Sequence, residues 1–268
     1  MKATVDLNCD MGEGFGADAA VLQYVSSVNV ACGFHAGDPT IMHRTVAGAL
    51  GCGVAVGAHP SLLDVQGFGR RAMRVTPEQA YDLVLYQVGA LAGFCRVLGG
   101  RLSHVKAHGA LYNMAARNAV VADAIARAVR DFDPALVLFG LAGSELVHAG
   151  RRAGLEVANE VFADRTYQRD GALTPRGQPD AMIRDVSAAL AQAERMMREG
   201  KVRALDGSDL QIEADTICIH GDEPGAESFA RELRALLARL GIAVCAPGHP
   251  NEVRSHPTFE CAGKPLRA

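Results

Sequence analysis

Apolar positions along the chain fall into two alternating patterns. Short, nearly continuous apolar runs cover Ala3–Asn8, Val28–Cys32, Val54–His59, His104–His108, Leu136–Gly140, Glu156–Phe162 and Thr216–His220, with a weaker eighth at Ala243–Ala246. Runs of this length predict parallel strands buried on both faces. Between them apolar residues recur at helical spacing, most clearly Ala80, Leu83, Val84, Val88, Leu91 and Phe94. That helix has legible ends. Thr76-Pro77-Glu78-Gln79 reads as a capping box with proline at the first helical position, and Gly99-Gly100 stops the helix. Asp38-Pro39 opens another helix, Pro179-Asp180 one that runs toward Gly200, and Gly225–Leu240 forms the last. The polar segment Lys201–Glu213 predicts a hairpin excursion before the seventh strand. This βαβα rhythm, unbroken by linker or repeat, predicts one α/β domain over residues 1–268, either a closed barrel or a doubly wound sheet. Two long loops, Pro60–Val75 and Asp164–Gln178, have the length of functional lids.

Composition narrows the function. Hydrophobic residues make up 49% and charged residues 21%, so the chain is globular and not disordered. A net charge of −3, aromatics at 5% and no tryptophan argue against nucleic acid as a partner. No run reaches the roughly 18 apolar residues of a membrane span, so no membrane partner is expected. Asp6 and Asp10 interrupt the N-terminus before an apolar signal region forms, which predicts a cytoplasmic protein. The seven cysteines are widely spaced without a CxxC pair and read as packed, reduced thiols. Glycine is in excess, 29 of 268 residues against a usual roughly 7%.

Many of those glycines sit beside ionisable residues at the C-terminal ends of the strands, in DLNCDMGEGFG, ACGFHAGDP, GAHP, HVKAHGALYN, FADRTYQRDG and IHGDEPGA. In parallel α/β folds that is the face where ligands bind. Residues two apart on a strand point the same way, so Asp6 and Asn8 pair, as do Lys106 and His108, and His220 and Asp222. Lysine and carboxylates buried together tune one another for acid/base work. The candidate catalytic residues are Asp6, Asn8, Asp10, His35, His59, Lys106, His108, His220 and Asp222. Structural roles compete: Asp38 as a helix N-cap, Asp222 as the cap of the last helix, Asn8 and Asp10 as ties for loop backbone. An ammonium on an apolar strand has little structural use, which favours a functional Lys106.

Asp10, His35 and His59, from three successive strand ends, suit a hydrolase-type zinc site. His104 and His108 have metal-like spacing, but on a strand they lie about 13 Å apart and cannot share an ion. Gly12-x-Gly14-x-Gly16 offers an anion cradle but matches no nucleotide-binding loop. Arg70 and Arg71 in one long loop, and Arg165 and Arg169 in the other, are candidate clamps for a carboxylate or phosphate.

Taken in order, DLNCDMGEGFG, NVACGFHAGDP, GAHPSLLDVQGFGRR, VKAHGALYN, EVFADRTYQRDGALTPRG and CIHGDEPGA resemble the successive motifs of the LamB/YcsF family, over essentially the whole chain. The resemblance implies a single seven-stranded (β/α) barrel, TIM-like and distantly similar to sugar deacetylases. It implies ATP-dependent opening of 5-oxo-L-proline (pyroglutamate) to L-glutamate, with ATP as co-substrate accompanied by Mg²⁺ and with separate B and C subunits as partners. Within its motifs Glu13, Tyr112, Asp164 and Tyr167 join Arg70 and Arg165 as candidate substrate-binding residues. Two other readings stay open: a metal-dependent amide or sugar deacetylase, and a non-catalytic lactam-binding subunit. The site that binds ATP, on this chain or on a partner, also stays open.

Overall fold

The computed structural model describes residues 2–14, 18–219 and 225–248. Ten strands and eight helices follow one another along these residues: β1 (Thr4–Met11), α1 (Asp18–Val21), β2 (Ser27–Ala31), α2 (Pro39–Gly51), β3 (Ala55–His59), α3 (Pro77–Val97), β4 (Leu102–Lys106), α4 (Gly109–Arg117), α5 (Ala119–Phe132), β5 (Val137–Leu141), α6 (Glu145–Arg152), β6 (Val157–Phe162), α7 (Val186–Glu199), β7 (Lys201–Arg203), β8 (Asp209–Gln211), β9 (Thr216–Ile219), α8 (Ala226–Arg239) and β10 (Ala243–Val244). Strands β1 to β6 and β9 pair in parallel, and β9 pairs with β1, so the sheet closes into a seven-stranded barrel. The weak eighth run is β10, which extends the sheet alongside the first residues of β1 and does not take a place in the ring. β7 and β8 form the expected antiparallel hairpin.

Helix ends follow local chemistry. Thr76 accepts from the Gln79 amide, and the Gln79 side chain accepts from the Thr76 amide, completing the capping box of α3. Asp38 caps α2 through the Ile41 amide at 2.7 Å, the structural role its place before proline predicts. Two boundaries differ from the sequence reading. α7 begins at Val186, capped by Asp185, and not at Pro179. The segment before it is tied back to the loop by pairing of Arg165 with Met182 and by the Thr166 amide on the Ala181 carbonyl. β4 ends at Lys106, so His108 leaves the strand and becomes the N-cap residue of α4, its amide donating to the Pro60 carbonyl.

The helices pack outside the strands, with α3 against α5 and α5 against α6. α5 places Val121, Ile125 and Val129 on one buried face, and each such side chain contributes about 1.5–3 kcal/mol on burial. The barrel interior is different: it holds mainly polar groups, with a small apolar cluster of Val137, Phe139 and Ala158 on the β5–β6 side. Gly57 on β3 makes room for this arrangement. A Cβ there would meet the His104 ring at 2.1 Å, and the ring instead lies across the strand and stacks on Phe139. Among the described residues no helix is long and apolar enough to cross a membrane.

Candidate functional site

β1 supplies three inward side chains at successive depths: Asp6, Asn8 and Asp10. Asp6 is deepest, accepting from the hydroxyls of Ser26 (2.6 Å), Ser27 (2.8 Å) and Thr216 (2.6 Å). Burial raises its pKa to about 6, against the pull of those three hydroxyl bonds, and the Glu160 charge adds to the rise. The folded state therefore holds a proton that the unfolded chain releases near pH 4. Asp6 contributes stability below pH 4, and that contribution disappears as pH rises through about 6. Asp6→Asn is expected to remove this dependence, worth at most about 3 kcal/mol, from urea denaturation curves of the two proteins compared at pH 4, 5, 6 and 7.

Above Asp6 the bonds run upward without a break. Thr216 Oγ1 accepts from Asn8 Nδ2 (2.7 Å), which also donates to Glu160 Oε1 (3.0 Å). Asn29 Nδ2 donates to Asn8 Oδ1 (2.7 Å) and Asp10 Oδ1 (2.8 Å), while Asn29 Oδ1 is 2.7 Å from His104 Nε2. Lys106 closes this layer. Its ammonium sits 2.7 Å from Glu160 Oε1, 2.9 Å from Asp10 Oδ1, 3.1 Å from Asn8 Oδ1 and 3.2 Å from Cys218 Sγ. Burial works against the charge, but the carboxylates of Asp10 and Glu160 outweigh it and hold the Lys106 pKa well above that of a free lysine. Lys106 is thus an ammonium at any physiological pH. Burial keeps Cys218 a thiol and Tyr112 a phenol, whose hydroxyl donates to Glu160 Oε2 at 2.7 Å. Such a fully bonded buried network fixes its members in place.

A second group sits beside Asp10. Glu13, His35, His59 and His108 each present a ligand atom, and these atoms lie within 4.8 Å of one another. Glu13 Oε1 is 3.1 Å from His35 Nε2, 3.5 Å from His108 Nδ1 and 3.9 Å from His59 Nε2. His59 Nε2 is 3.3 Å from Asp10 Oδ2 and 2.9 Å from His108 Nδ1. Burial first, then the neighbouring histidines, lowers the pKa of His35 and brings that of His108 down to about 3, so both rings are neutral. The β3–α3 loop sets these rings. His35 and His108 stack at 3.7 Å, and Phe68 meets both edge-on. Phe68 is the one non-glycine among the described residues with positive φ (54°), a strained conformation costing about 1–3 kcal/mol. Its carbonyl meets His108 Nε2 at 2.9 Å. At the adjoining Gly69 (φ +64°) a Cβ would fall 2.8 Å from the His108 ring and 2.9 Å from His35 Cβ. Asp64 holds the loop in this shape, accepting from the Gly67 amide and from Arg71 Nε (2.8 Å), while its carbonyl takes the Gly69 amide.

Both groups open on a cavity of about 750 Å³. Asp10, Glu13, His59, Lys106, His108 and Tyr112 face it from the barrel, and Arg70, Arg117, Arg165 and Arg176 line its walls. Among the described residues the lining carries five cationic side chains against two carboxylates, which favours an anionic ligand. Arg165 is fixed by bonds to the carbonyls of Ala181 and Thr174.

The structure therefore brings together Asp10, His35, His59, Lys106 and His108, joined by Glu13, Arg70, Tyr112 and Arg165. Asp6 and Asn8 lie beneath the cavity and support it from below. Tyr167 is buried, its hydroxyl accepting from the Phe162 amide at 2.9 Å, and neither it nor Asp164 lines the cavity. His220 and Asp222 lie outside the described residues. Arg71 is engaged by Asp64 and is not a clamp for ligand. His104 and His108 do fall in separate groups. The chief residue absent from the sequence reading is Glu160. Its signal was a carboxylate inside the otherwise apolar strand Val157–Phe162, the counterpart of Lys106 in β4.

Comparison with known proteins gives four findings. The profile of the LamB/YcsF family matches residues 5–252. A Bordetella parapertussis protein named as the A subunit of 5-oxoprolinase is 62% identical over 251 residues, covering 92% of this chain and 100% of that one. A lactam utilization protein from Thermus thermophilus superposes with a TM-score of 0.84 at 48% identity, covering 91% of this chain and 99% of its own. The catalytic domain of a peptidoglycan N-acetylglucosamine deacetylase from Eubacterium rectale, at 11% identity and a TM-score of 0.51, shares the fold alone. With a family profile spanning nearly its whole length and full-length relatives at this identity, the chain belongs to the LamB/YcsF family.

Proposed function

We propose that this chain is the ring-opening subunit of a multi-subunit 5-oxoprolinase, hydrolysing 5-oxo-L-proline to L-glutamate with consumption of ATP. The relatives named as 5-oxoprolinase A subunits support the substrate. The observation that carries the chemistry is the Asp10–Lys106 pair at 2.9 Å, a carboxylate and a buried ammonium facing an arginine-walled cavity.

A five-membered lactam is an unreactive amide, and phosphorylation of its oxygen by Mg²⁺-bound ATP makes C5 electrophilic. Asp10 takes a proton from the water that adds to C5. Lys106 stabilises the negative charge that develops there. The C5–N bond then breaks as the nitrogen takes a proton, and hydrolysis of the resulting acyl phosphate releases glutamate and phosphate. Arg165 holds the substrate carboxylate, and Arg70 faces the phosphoryl group.

The test is glutamate formation from 5-oxoproline, with this chain alone and combined with the B and C subunits, in the presence and absence of ATP. Glutamate from the complete complex, dependent on both ATP and this chain, is the expected result. A complete complex that makes no glutamate rejects the substrate. A second reading, a metal-dependent amide or sugar deacetylase, is favoured by the Glu13–His35–His59–His108 group. Release of acetate from N-acetylated sugars by this chain alone, without ATP, would establish that reading in place of the first.

A further inference from the structure

The histidines beside Asp10 converge on one point and are aimed there by the backbone. His59 Nδ1 lies 2.8 Å from the Lys106 carbonyl, and His108 Nε2 lies 2.9 Å from the Phe68 carbonyl. A carbonyl only accepts, so each of these outer nitrogens carries the hydrogen. The inner nitrogens, His59 Nε2 and His108 Nδ1, face each other at 2.9 Å. Two carboxylate oxygens approach the same point: Glu13 Oε1, at 3.5 and 3.9 Å from these nitrogens, and Asp10 Oδ2, at 3.3 Å from His59 Nε2. Two imidazole nitrogens and two carboxylate oxygens thus converge on one spot, the kind of donor set that holds a transition-metal ion.

We infer that Glu13, His35, His59 and His108 form a binding site for one divalent transition-metal ion. Ligand atoms at 2.0–2.1 Å from a tetrahedral ion stand about 3.3 Å apart; the separations about Glu13 and between His59 and His108 run from 2.9 to 3.9 Å, and all four ligand atoms lie within 4.8 Å of one another. Backbone carbonyls that take the outer N–H of His59 and His108 are the partners that aim such rings at a metal. The rings are packed together, since His35 stacks on His108, Phe68 meets both edge-on, and a side chain at Gly69 would collide with both. Three imidazoles with one carboxylate select zinc, iron or a similar ion over magnesium or calcium, which prefer oxygen throughout. The site borders the cavity through Glu13, His59 and His108, and it does not depend on which substrate the cavity takes.

The full-length chain, stripped with a chelator and shown by circular dichroism to remain folded, is titrated with Co²⁺ and separately with Zn²⁺. The expected result is one ion per chain, with the visible absorption of a low-coordinate cobalt site. Glu13→Gln and His108→Gln are each expected to weaken binding by more than about 100-fold, since even outer partners of metal ligands contribute 10- to 100-fold. His43→Asn, on α2, is expected to bind as the parent does. Folded stripped protein that takes up neither ion in a saturable manner overturns the inference, as does unchanged binding by the folded Glu13→Gln protein. Because the readout is binding, a complex that fails to make glutamate leaves it standing, and an ion-free protein leaves the lactam reading standing.

Discussion

Replacing Lys106 with methionine is expected to cost about 3–5 kcal/mol of folding stability and to slow ring opening by about 100- to 1,000-fold. The two losses have one origin. The ammonium is buried between Glu160 and Asp10 at 2.7 and 2.9 Å, and methionine fills its volume while leaving the buried Glu160 and the partly buried Asp10 without a counter-charge. Urea denaturation measures the first loss, and glutamate formation by the complete complex the second. The double variant Lys106→Met, Glu160→Gln separates them. Removing one of the stranded charges restores part of the stability, because the introduced amide oxygen still accepts a hydrogen bond within the same network. It restores no turnover, because the charge facing the reacting carbon is still missing. Full turnover in Lys106→Met would remove Lys106 from the chemistry and favour a protein that only binds the lactam.

Asp10→Asn is the second large effect. Asparagine keeps the shape and an oxygen for Lys106 and Asn29 to donate to, and Lys106 retains Glu160. Stability is therefore expected to change little. What disappears is basicity at the one network carboxylate that faces both the cavity and Lys106. A general base of this kind contributes about 100- to 10,000-fold, so kcat is expected to fall by that factor with KM within a few-fold of the parent. That pattern marks an interaction made in the transition state alone. A raised KM with unchanged kcat would instead make Asp10 a binding residue and return the search for the base to Glu13.

The candidate site was legible in the sequence to the extent that its residues stand at strand ends. Lys106, His59 and Asp10 were visible because each is an ionisable residue closing an apolar run, and burial of such a group is costly without a purpose. Glu160 was missed because it lies within its strand and has no neighbouring motif to draw attention to it. Glu13, grouped in the sequence with the substrate-binding residues, lines the cavity and also meets the histidines, since the turn after β1 brings it back toward His35 at 3.1 Å. Loop geometry of that kind has no period to read.

By itself the sequence determined the strand order, the capped helix starts at Asp38 and Thr76, and the end of the barrel that carries the chemistry. Those are local properties: alternation, helical spacing and side-chain bonds to amides three residues away. Depth was decided only by the tertiary structure. Asp6, Asn8 and Asp10 share one face of β1, yet each step of two residues moves about 6.6 Å along the strand. Closure of β9 onto β1 sets Asp6 opposite Thr216, at the base of the interior. That register, fixed by the whole ring of strands, leaves Asp6 bound by three hydroxyls and carries Asp10 up to the lysine, the histidines and the cavity.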